Sequence, residues 1–528
     1  MSIKSELKTA IDTYLAWEKF SHGLAAYVNK VKKGRGKLSI VIGFDGRHRR
    51  AKFAKDAASV FIRNGIKVKM FTNVVPTPVV SFATPFLKCN AGLMITASHN
   101  PKQDNGYKAY WANGAQVVLL SSAGCGSVLS DRRPARRGHL QAGVRRPGPE
   151  PRLLRLVGGR KAENVDYVLE EYVKSEAKLC RYPKENSKTQ LKFTYSAFHG
   201  VGYESAKKMF DAFGFPESSI VPVKASAFLR TVRVKRRFQE QCEPDPNFTT
   251  VSNPNPEEGI RVLGLCLQVA EQNASTVVLV NDPDADRIQV AEFQETGEWR
   301  AFTGNEMGVI LTWWTWKHFQ EENPNADLKN VYILNSAVSS QFARTLLEES
   351  IGYMPGTTLD KDGVSVAAVF AEIANYLHAK GLKLSDQLFE IFKTYGFHLT
   401  RNSYFIVPSK NVTHEIFEKR SRNPPTTLHG EKIQEIRDLT IFATTKTSKL
   451  PSSATSPMIT YTLESGSIIT LRASGTEPKL KYYIELVSKP GIEKNDVKAV
   501  YDQLDALEKS VIEELLSPAE HGLIAREK

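Results

Sequence analysis

With 528 residues, 41% of them hydrophobic, the chain is long enough for roughly three to five domains with their own cores. No run of about 18 apolar residues occurs, which argues against a membrane span, and Met1–Glu6 lacks the apolar core of a secretory signal. The formal charge of +14 suggests a nucleic-acid groove until it is located. Residues 132–160 hold nine arginines against the single acid Glu150, and residues 224–237 hold six cations and no acid, so these two stretches carry the whole excess. A binding groove spreads its cations over periodic elements with interleaved aromatics; neither nucleic acid nor membrane is expected as a partner. The five scattered cysteines (Cys89, Cys125, Cys180, Cys242, Cys266) fit no disulfide framework or zinc site and point to a reducing compartment, by default the cytoplasm.

In chain order, residues 5–32 read as an amphipathic helix through Tyr14, Trp17, Phe20, Leu24 and Val28. A strand over 37–44 ends at Asp45-Gly46-Arg47. A helix over 51–65, an alternating strand over 66–70 and a rigid Val75-Pro76-Thr77-Pro78 link follow. The apolar run 91–95 is a buried strand. Alternating strands and helices predict a mostly parallel α/β layer, whose ligands gather beyond the carboxyl ends of strands. Asp45, Arg47, Thr77 and Ser98 all lie there and are expected on one rim. Residues 117–160 lose all periodicity and read as disordered or aberrant, and order returns with a helix from Asn164. A second α/β unit takes in a strand over 191–195, helices over 203–213 and 258–272, and a strand over 276–280, with 224–241 as an insert. A third runs from 331 to 399. The last carries strands over 468–471 and 482–486 and a helix over 494–516.

Three loops carry chemistry. Thr96-Ala97-Ser98-His99-Asn100-Pro101 presents a serine after a buried strand, and the turn at Asp104–Lys108 can return a lysine to the same end; alone, such a loop is more often an ordinary connection. Asn281-Asp282-Pro283-Asp284-Ala285-Asp286-Arg287 sets three carboxylates at alternate positions after a strand, a donor set suited to Mg²⁺. An EF-hand needs glycine at its sixth position and glutamate at its twelfth; Arg287 and Phe293 stand there, which rules it out. Arg472-Ala473-Ser474-Gly475-Thr476-Glu477-Pro478-Lys479 reads as a phosphate-binding nest of backbone donors, hydroxyls and charge, or else as a plain turn. Glu348-Glu349-Ser350-Ile351-Gly352 offers groups for sugar hydroxyls, although an exposed helix end has the same text. No Gly-x-x-x-x-Gly-Lys-Ser/Thr or Gly-x-Gly-x-x-Gly loop is present. A serine nucleophile, a divalent metal and a phosphate anchor together suit phosphoryl transfer.

These four motifs, in this order, resemble the α-D-phosphohexomutase superfamily, and Lys102–Lys108 and Leu359–Ser365 are similar to its eukaryotic branch acting on phosphopentoses and phosphoglucose. The resemblance covers roughly 36–116, 162–222, 242–344 and 346–515. It implies a four-domain α/β fold, three mixed α/β sheet domains plus a C-terminal α+β domain, with limits at 1–188, 189–328, 329–410 and 411–528. It implies a phosphoserine at Ser98, one Mg²⁺ held by Asp282, Asp284, Asp286 and that phosphoserine, and Arg287 steadying the serine phosphate. His99, Lys108 and Lys361 become acid/base candidates. Glu348 and Ser350 would hold sugar hydroxyls, and Arg472, Ser474, Gly475 and Thr476 the phosphate that is not reacting. The expected activity converts sugar 1-phosphates to 5- or 6-phosphates through a sugar bisphosphate, which also serves as activator, in a monomer. Glucose-1,6-bisphosphate synthase, or a non-catalytic chain, is the alternative. The family's Phe-Gly-Thr-x-Gly-Leu-Arg segment is absent, and the third domain reads as shortened between Arg344 and Glu348.

Overall fold

The central strands are apolar along their whole length because both faces are covered, the pattern expected of parallel sheets. Ser39–Phe44 (β1) and Ala91–Ile95 (β3) are buried at every position. The computed structural model describes residues 19–30, 37–117, 162–223, 241–331, 340, 347–348, 352–442, 456–474 and 478–525. The first sheet also contains Lys67–Met70 (β2), Tyr107–Trp111 (β4) and Glu163–Asn164 (β5), in the order β4-β3-β1-β2-β5. All pair in parallel except β4, which runs back along β3 and sets Lys108 opposite Met94. The helices Arg50–Arg63 and Thr77–Phe86 cover it, and residues 19–30 are helical with Leu24 and Val28 in its core.

A second five-stranded sheet has the order β10-β9-β8-β6-β7. Phe193–Ser196 (β6), Ile220–Pro222 (β7) and Val277–Asn281 (β8) are parallel; Ile288–Phe293 (β9) and Trp299–Ala301 (β10) are antiparallel. The helix Gly363–His378 packs on β8 and on the helix Gly202–Ala212. These two sheets belong to one compact unit, Met1–Met307 with Ser350–Gly381.

The second unit, Gly308–Glu349 with Leu382–Lys528, is built on a largely antiparallel sheet of seven strands. His398–Ile406 pairs along its whole length with Lys479–Val487, so this sheet takes in a strand lying before residue 411. The helix Gly363–His378 belongs to the first unit and Leu384–Tyr395 to the second. The span 331–399 is thus divided between units.

Local differences from the sequence reading have local causes. Asn164 is in β5, not in a helix: its side chain accepts from the Asp166 N–H, and Asp166 in turn accepts from the Thr72 N–H, so the helix starts only at Val168. The stretch 258–272 is not one helix: a 3₁₀ turn over Pro256–Val262 breaks at Gly259, φ 61°, before the helix Gly264–Gln272. The helix expected over 494–516 changes from α at Val497–Ser510 to π at Val511–Leu516 and stops at Ser517, whose φ is 43°. The segments 118–161 and 224–240, with the arginine-rich block and all but the end of the suggested insert, lie outside the described residues.

Candidate active site

Both sheets of the first unit deliver loops from strand carboxyl ends. β1 runs into Asp45 and Arg47, β3 into Ser98, and β8 into Asp282. Thr77, at the start of its helix, ties the first sheet's rim to the loop after β8: its N–H donates to the Asp284 carbonyl at 2.9 Å and its hydroxyl to Asp284 Oδ2 at 2.5 Å. The four rim positions read from the sequence therefore share one site.

Ser98 is half-buried, and its φ of 51° lies in the left-handed region, a sparse one for a non-glycine residue and a mark of functional loops. Its Oγ donates to Asp282 Oδ2 at 2.8 Å. The loop is held by Arg47, a buried guanidinium donating to the carbonyls of Ser98 (2.5 Å), Asn100 (2.7 Å), Pro101 (2.9 Å) and Asp104 (3.2 Å). Arg47 Nε lies 3.3 Å from Asp45, and its guanidinium sits 5.1 Å from the Phe248 ring centroid. Arg47→Met is expected to cost about 3–5 kcal/mol, because it leaves Asp45 buried without its countercharge and strips donors from several carbonyls; urea unfolding measures it.

Asp282, Asp284 and Asp286 are fully buried, and each offers an oxygen within 4.8 Å of the others. The loop between them turns at Ala285, φ 56°, whose N–H donates to the Asp282 carbonyl. Two glycines let neighbouring chain press against it. A Cβ on Gly200 would stand 2.2 Å from the Pro283 backbone, and one on Gly363 2.2 Å from the Arg287 carbonyl. Lys108 on β4 donates to Asp284 Oδ2 at 2.8 Å and to Asp286 Oδ2 at 2.6 Å. Lys361 Nζ is 3.5 Å from Asp286 Oδ2. Arg287 donates its backbone N–H to Asp282 Oδ1 at 3.1 Å, and its guanidinium pairs with Glu257.

The electrostatics of the triad are unbalanced by its own residues. Burial, reinforced by repulsion from Asp284 and Asp286, holds Asp282 well above the carboxylate range. Burial and Asp284 raise Asp286 as well. Asp284 is held low: burial opposes this, but Lys108 and the hydrogen bonds from Lys108 and Thr77 outweigh it. Burial alone would lower Lys108, but Asp284 and Asp286 outweigh it and keep its amine above the ordinary value. Burial, with Arg287 beside it, pushes His99 down to about 3, which leaves a neutral imidazole. Asp284 Oδ1 and Asp286 Oδ1 are buried with no hydrogen-bond partner among the described residues. Hard oxygen donors, two left over and three mutually repelling, fit a small divalent cation such as Mg²⁺.

Ser98, His99, Lys108, Arg287, Lys361 and the three aspartates thus lie in the first unit as one cluster. Arg472 is the penultimate residue of the strand Ile468–Ala473 in the second unit, and the Ser474 N–H donates to the Lys479 carbonyl at 2.9 Å. Glu348 lies in a short strand whose side chains are not described, and Ser350, Gly475 and Thr476 lie outside the described residues. The sequence reading missed Glu257, the partner of Arg287. Its signal was Asn255-Pro256 before it, where the Asn255 side chain caps the turn and accepts from the Glu257 N–H.

Residues 4–119 match the family described as phosphoglucomutase/phosphomannomutase, alpha/beta/alpha domain I, and residues 224–295 match its alpha/beta/alpha domain II. The human protein named phosphopentomutase is 36% identical over 95% of this chain and 86% of its own length. Human glucose 1,6-bisphosphate synthase is also 36% identical, over 96% of this chain and 85% of its own length. The open form of the phosphoglucomutase pp63/parafusin from Paramecium shares the fold, with a TM-score of 0.64 at 16% identity, covering 94% of this chain and 92% of that one. The chain belongs to the phosphoglucomutase/phosphomannomutase family of sugar-phosphate mutases, with the four-domain α/β fold of the α-D-phosphohexomutase superfamily and in its eukaryotic branch.

Proposed function

We propose that this chain is a Mg²⁺-dependent mutase that converts ribose or deoxyribose 1-phosphate to the 5-phosphate and glucose 1-phosphate to the 6-phosphate. The observation that carries the reading is Ser98 Oγ, 2.8 Å from Asp282 within a buried triad of aspartates. Ser98, as a phosphoserine, gives its phosphoryl group to one end of the sugar and recovers one from the other end, with a sugar bisphosphate turning over in between. Asp282, Asp284 and Asp286 would hold one Mg²⁺, the metal this family uses, which when bound would supply charge neutralisation at the transferring group. Arg287 steadies the serine phosphate. Lys108 reaches the same loop through Asp284 and Asp286. Lys361, whose Nζ lies 3.5 Å from the same Asp286 oxygen that Lys108 contacts, is a candidate for moving the sugar hydroxyl's proton, as are Lys108 and His99. Glu348 and Ser350 bind sugar hydroxyls; Arg472, Ser474, Gly475 and Thr476 bind the distal phosphate. Among the described residues no helix is long and apolar enough to cross a membrane, and the four described cysteines are free; the reading places a monomer in the cytoplasm.

Incubation with Mg²⁺, trace sugar bisphosphate and ribose 1-phosphate or glucose 1-phosphate, followed by ³¹P NMR, is expected to show isomer formation at a turnover on the order of 10 s⁻¹. No isomer from a chain carrying phosphate on Ser98 contradicts the proposal. A second reading rests on the equal similarity to the human glucose 1,6-bisphosphate synthase. It requires phosphorylation of glucose 1-phosphate by 1,3-bisphosphoglycerate to outpace isomerisation.

A further inference from the structure

Lys361 reaches the metal loop from a short segment, Asp360-Lys361-Asp362, that is tied down from the first domain by two tyrosines. Tyr110 OH donates to Asp360 Oδ2 at 2.9 Å, and Tyr172 OH to both oxygens of Asp362 at 2.7 and 2.8 Å. Both rings are fully buried. Tyr110 lies two residues beyond Lys108 on β4, so the strand's period of two puts both side chains on one face: one toward the triad, the other toward the segment. The tied aspartates in turn fix the backbone around Lys361. Asp360 Oδ1 accepts from the Lys361 N–H at 2.8 Å. Asp362 Oδ1 caps the helix Gly363–His378 through the N–H groups of Val364 and Ser365, and the Asp362 N–H donates to the Tyr353 carbonyl at 2.8 Å. Gly363 lies against the Arg287 carbonyl. Lys361 is therefore flanked on both sides by carboxylates whose positions depend on tyrosine hydroxyls more than 180 residues earlier in the chain.

From this juxtaposition we infer that Tyr110 and Tyr172 are positioning residues for Lys361. They act through Asp360 and Asp362 and hold its amine at the metal loop. The inference rests on the proposed role of Lys361. Each hydroxyl removes the freedom of one side of the segment, and a misplacement of about 1 Å at a reacting group can cost on the order of 10²-fold in rate.

The test compares Tyr110→Phe, Tyr172→Phe, Lys361→Ala and the double variants of each tyrosine with Lys361→Ala in the full chain, assayed for isomerisation and thermal melting. Each Phe variant is expected to lower kcat about tenfold and leave KM within about threefold. In the Lys361→Ala background the same hydroxyl loss is expected to cost almost nothing more, the non-additivity of a pair acting as one. Additive losses, or a melting point that falls while kcat does not, overturn the inference. If Lys361→Ala leaves kcat unchanged, the assignment of Lys361 falls and takes the inference with it. If Lys361→Ala is impaired and the Phe variants are not, only the positioning role falls. Competitive acetylation of Lys361, read by mass spectrometry against exposed Lys498, needs no catalytic activity. It is expected to quicken at least about threefold in either Phe variant as the segment loosens, and an unchanged rate overturns the inference. Should Tyr172→Phe not fold, Tyr110→Phe decides alone.

Discussion

Ser98→Ala is expected to lower kcat by at least about 10⁴-fold and leave the fold and Mg²⁺ binding in place, since removal of a covalent nucleophile cannot be compensated by binding groups alone. Neither neighbour can substitute. Ala97 has no nucleophile, and the His99 Nδ1 is buried away from solvent with no hydrogen-bond partner among the described residues. The stability cost is modest for physical reasons. The variant loses one hydrogen bond to Asp282, about 1 kcal/mol, and alanine tolerates the left-handed backbone at position 98 no better than serine does. The Arg47 clamp binds only carbonyls of that loop, so it survives the substitution. A coupled isomerase assay alongside a thermal melt separates the two effects. Activity within tenfold of the parent would remove Ser98 from the chemistry.

Asp282→Asn is expected to separate metal binding from stability, with effects of opposite sign. Asp282 is buried and repelled by Asp284 and Asp286, so neutralising it relieves strain in the metal-free protein. Asn keeps the Oδ1 acceptor used by the Arg287 N–H. Urea unfolding without Mg²⁺ is expected to show stability unchanged or raised by about 1 kcal/mol. Mg²⁺ at a hundred times its Kd adds about 2.7 kcal/mol to the parent by mass action; in the variant that increment should vanish and kcat fall about 10³-fold. The equivalent change at Asp284 behaves differently, because Asp284 is the ion-pair partner of Lys108 and accepts from Thr77. There the metal-free protein should lose stability too. A variant at 282 that keeps its full Mg²⁺ increment would exclude that carboxylate from the metal site.

The placement of the proposed reacting groups was legible in the sequence because Ser98 and Asp282 each stand just past a buried strand. Ser98 after β3 and Asp282 after β8 follow apolar runs that could only be central strands, and polar residues at such ends have little packing reason to be there. The return of Lys108 was legible from a different signal, since Asp104–Gly106 forces a turn, and β4 pairs back along β3. What holds these groups was not legible. The grip of Arg47 on residues 98–104 depends on how β1 and β3 lie side by side, and a lone Asp-Gly-Arg says nothing of distant carbonyls. Nor were the ties from Tyr110 and Tyr172 legible, because a buried ring and a buried ring with a hydroxyl serving a carboxylate have the same sequence signature. The break at Gly259 was hidden in an otherwise helical composition, although glycine in a positive-φ conformation is its cause.

The central claim is that Ser98 carries the phosphoryl group, and it is tested most directly by locating phosphate on the chain. After incubation with Mg²⁺ and glucose 1,6-bisphosphate, rapid acid quench and peptide mass spectrometry, one phosphate is predicted on the peptide containing Ser98. It should be lost when glucose 1-phosphate is added in excess and absent from the Ser98→Ala chain. Phosphate on another residue, or none on Ser98 while isomerisation proceeds, would contradict the account.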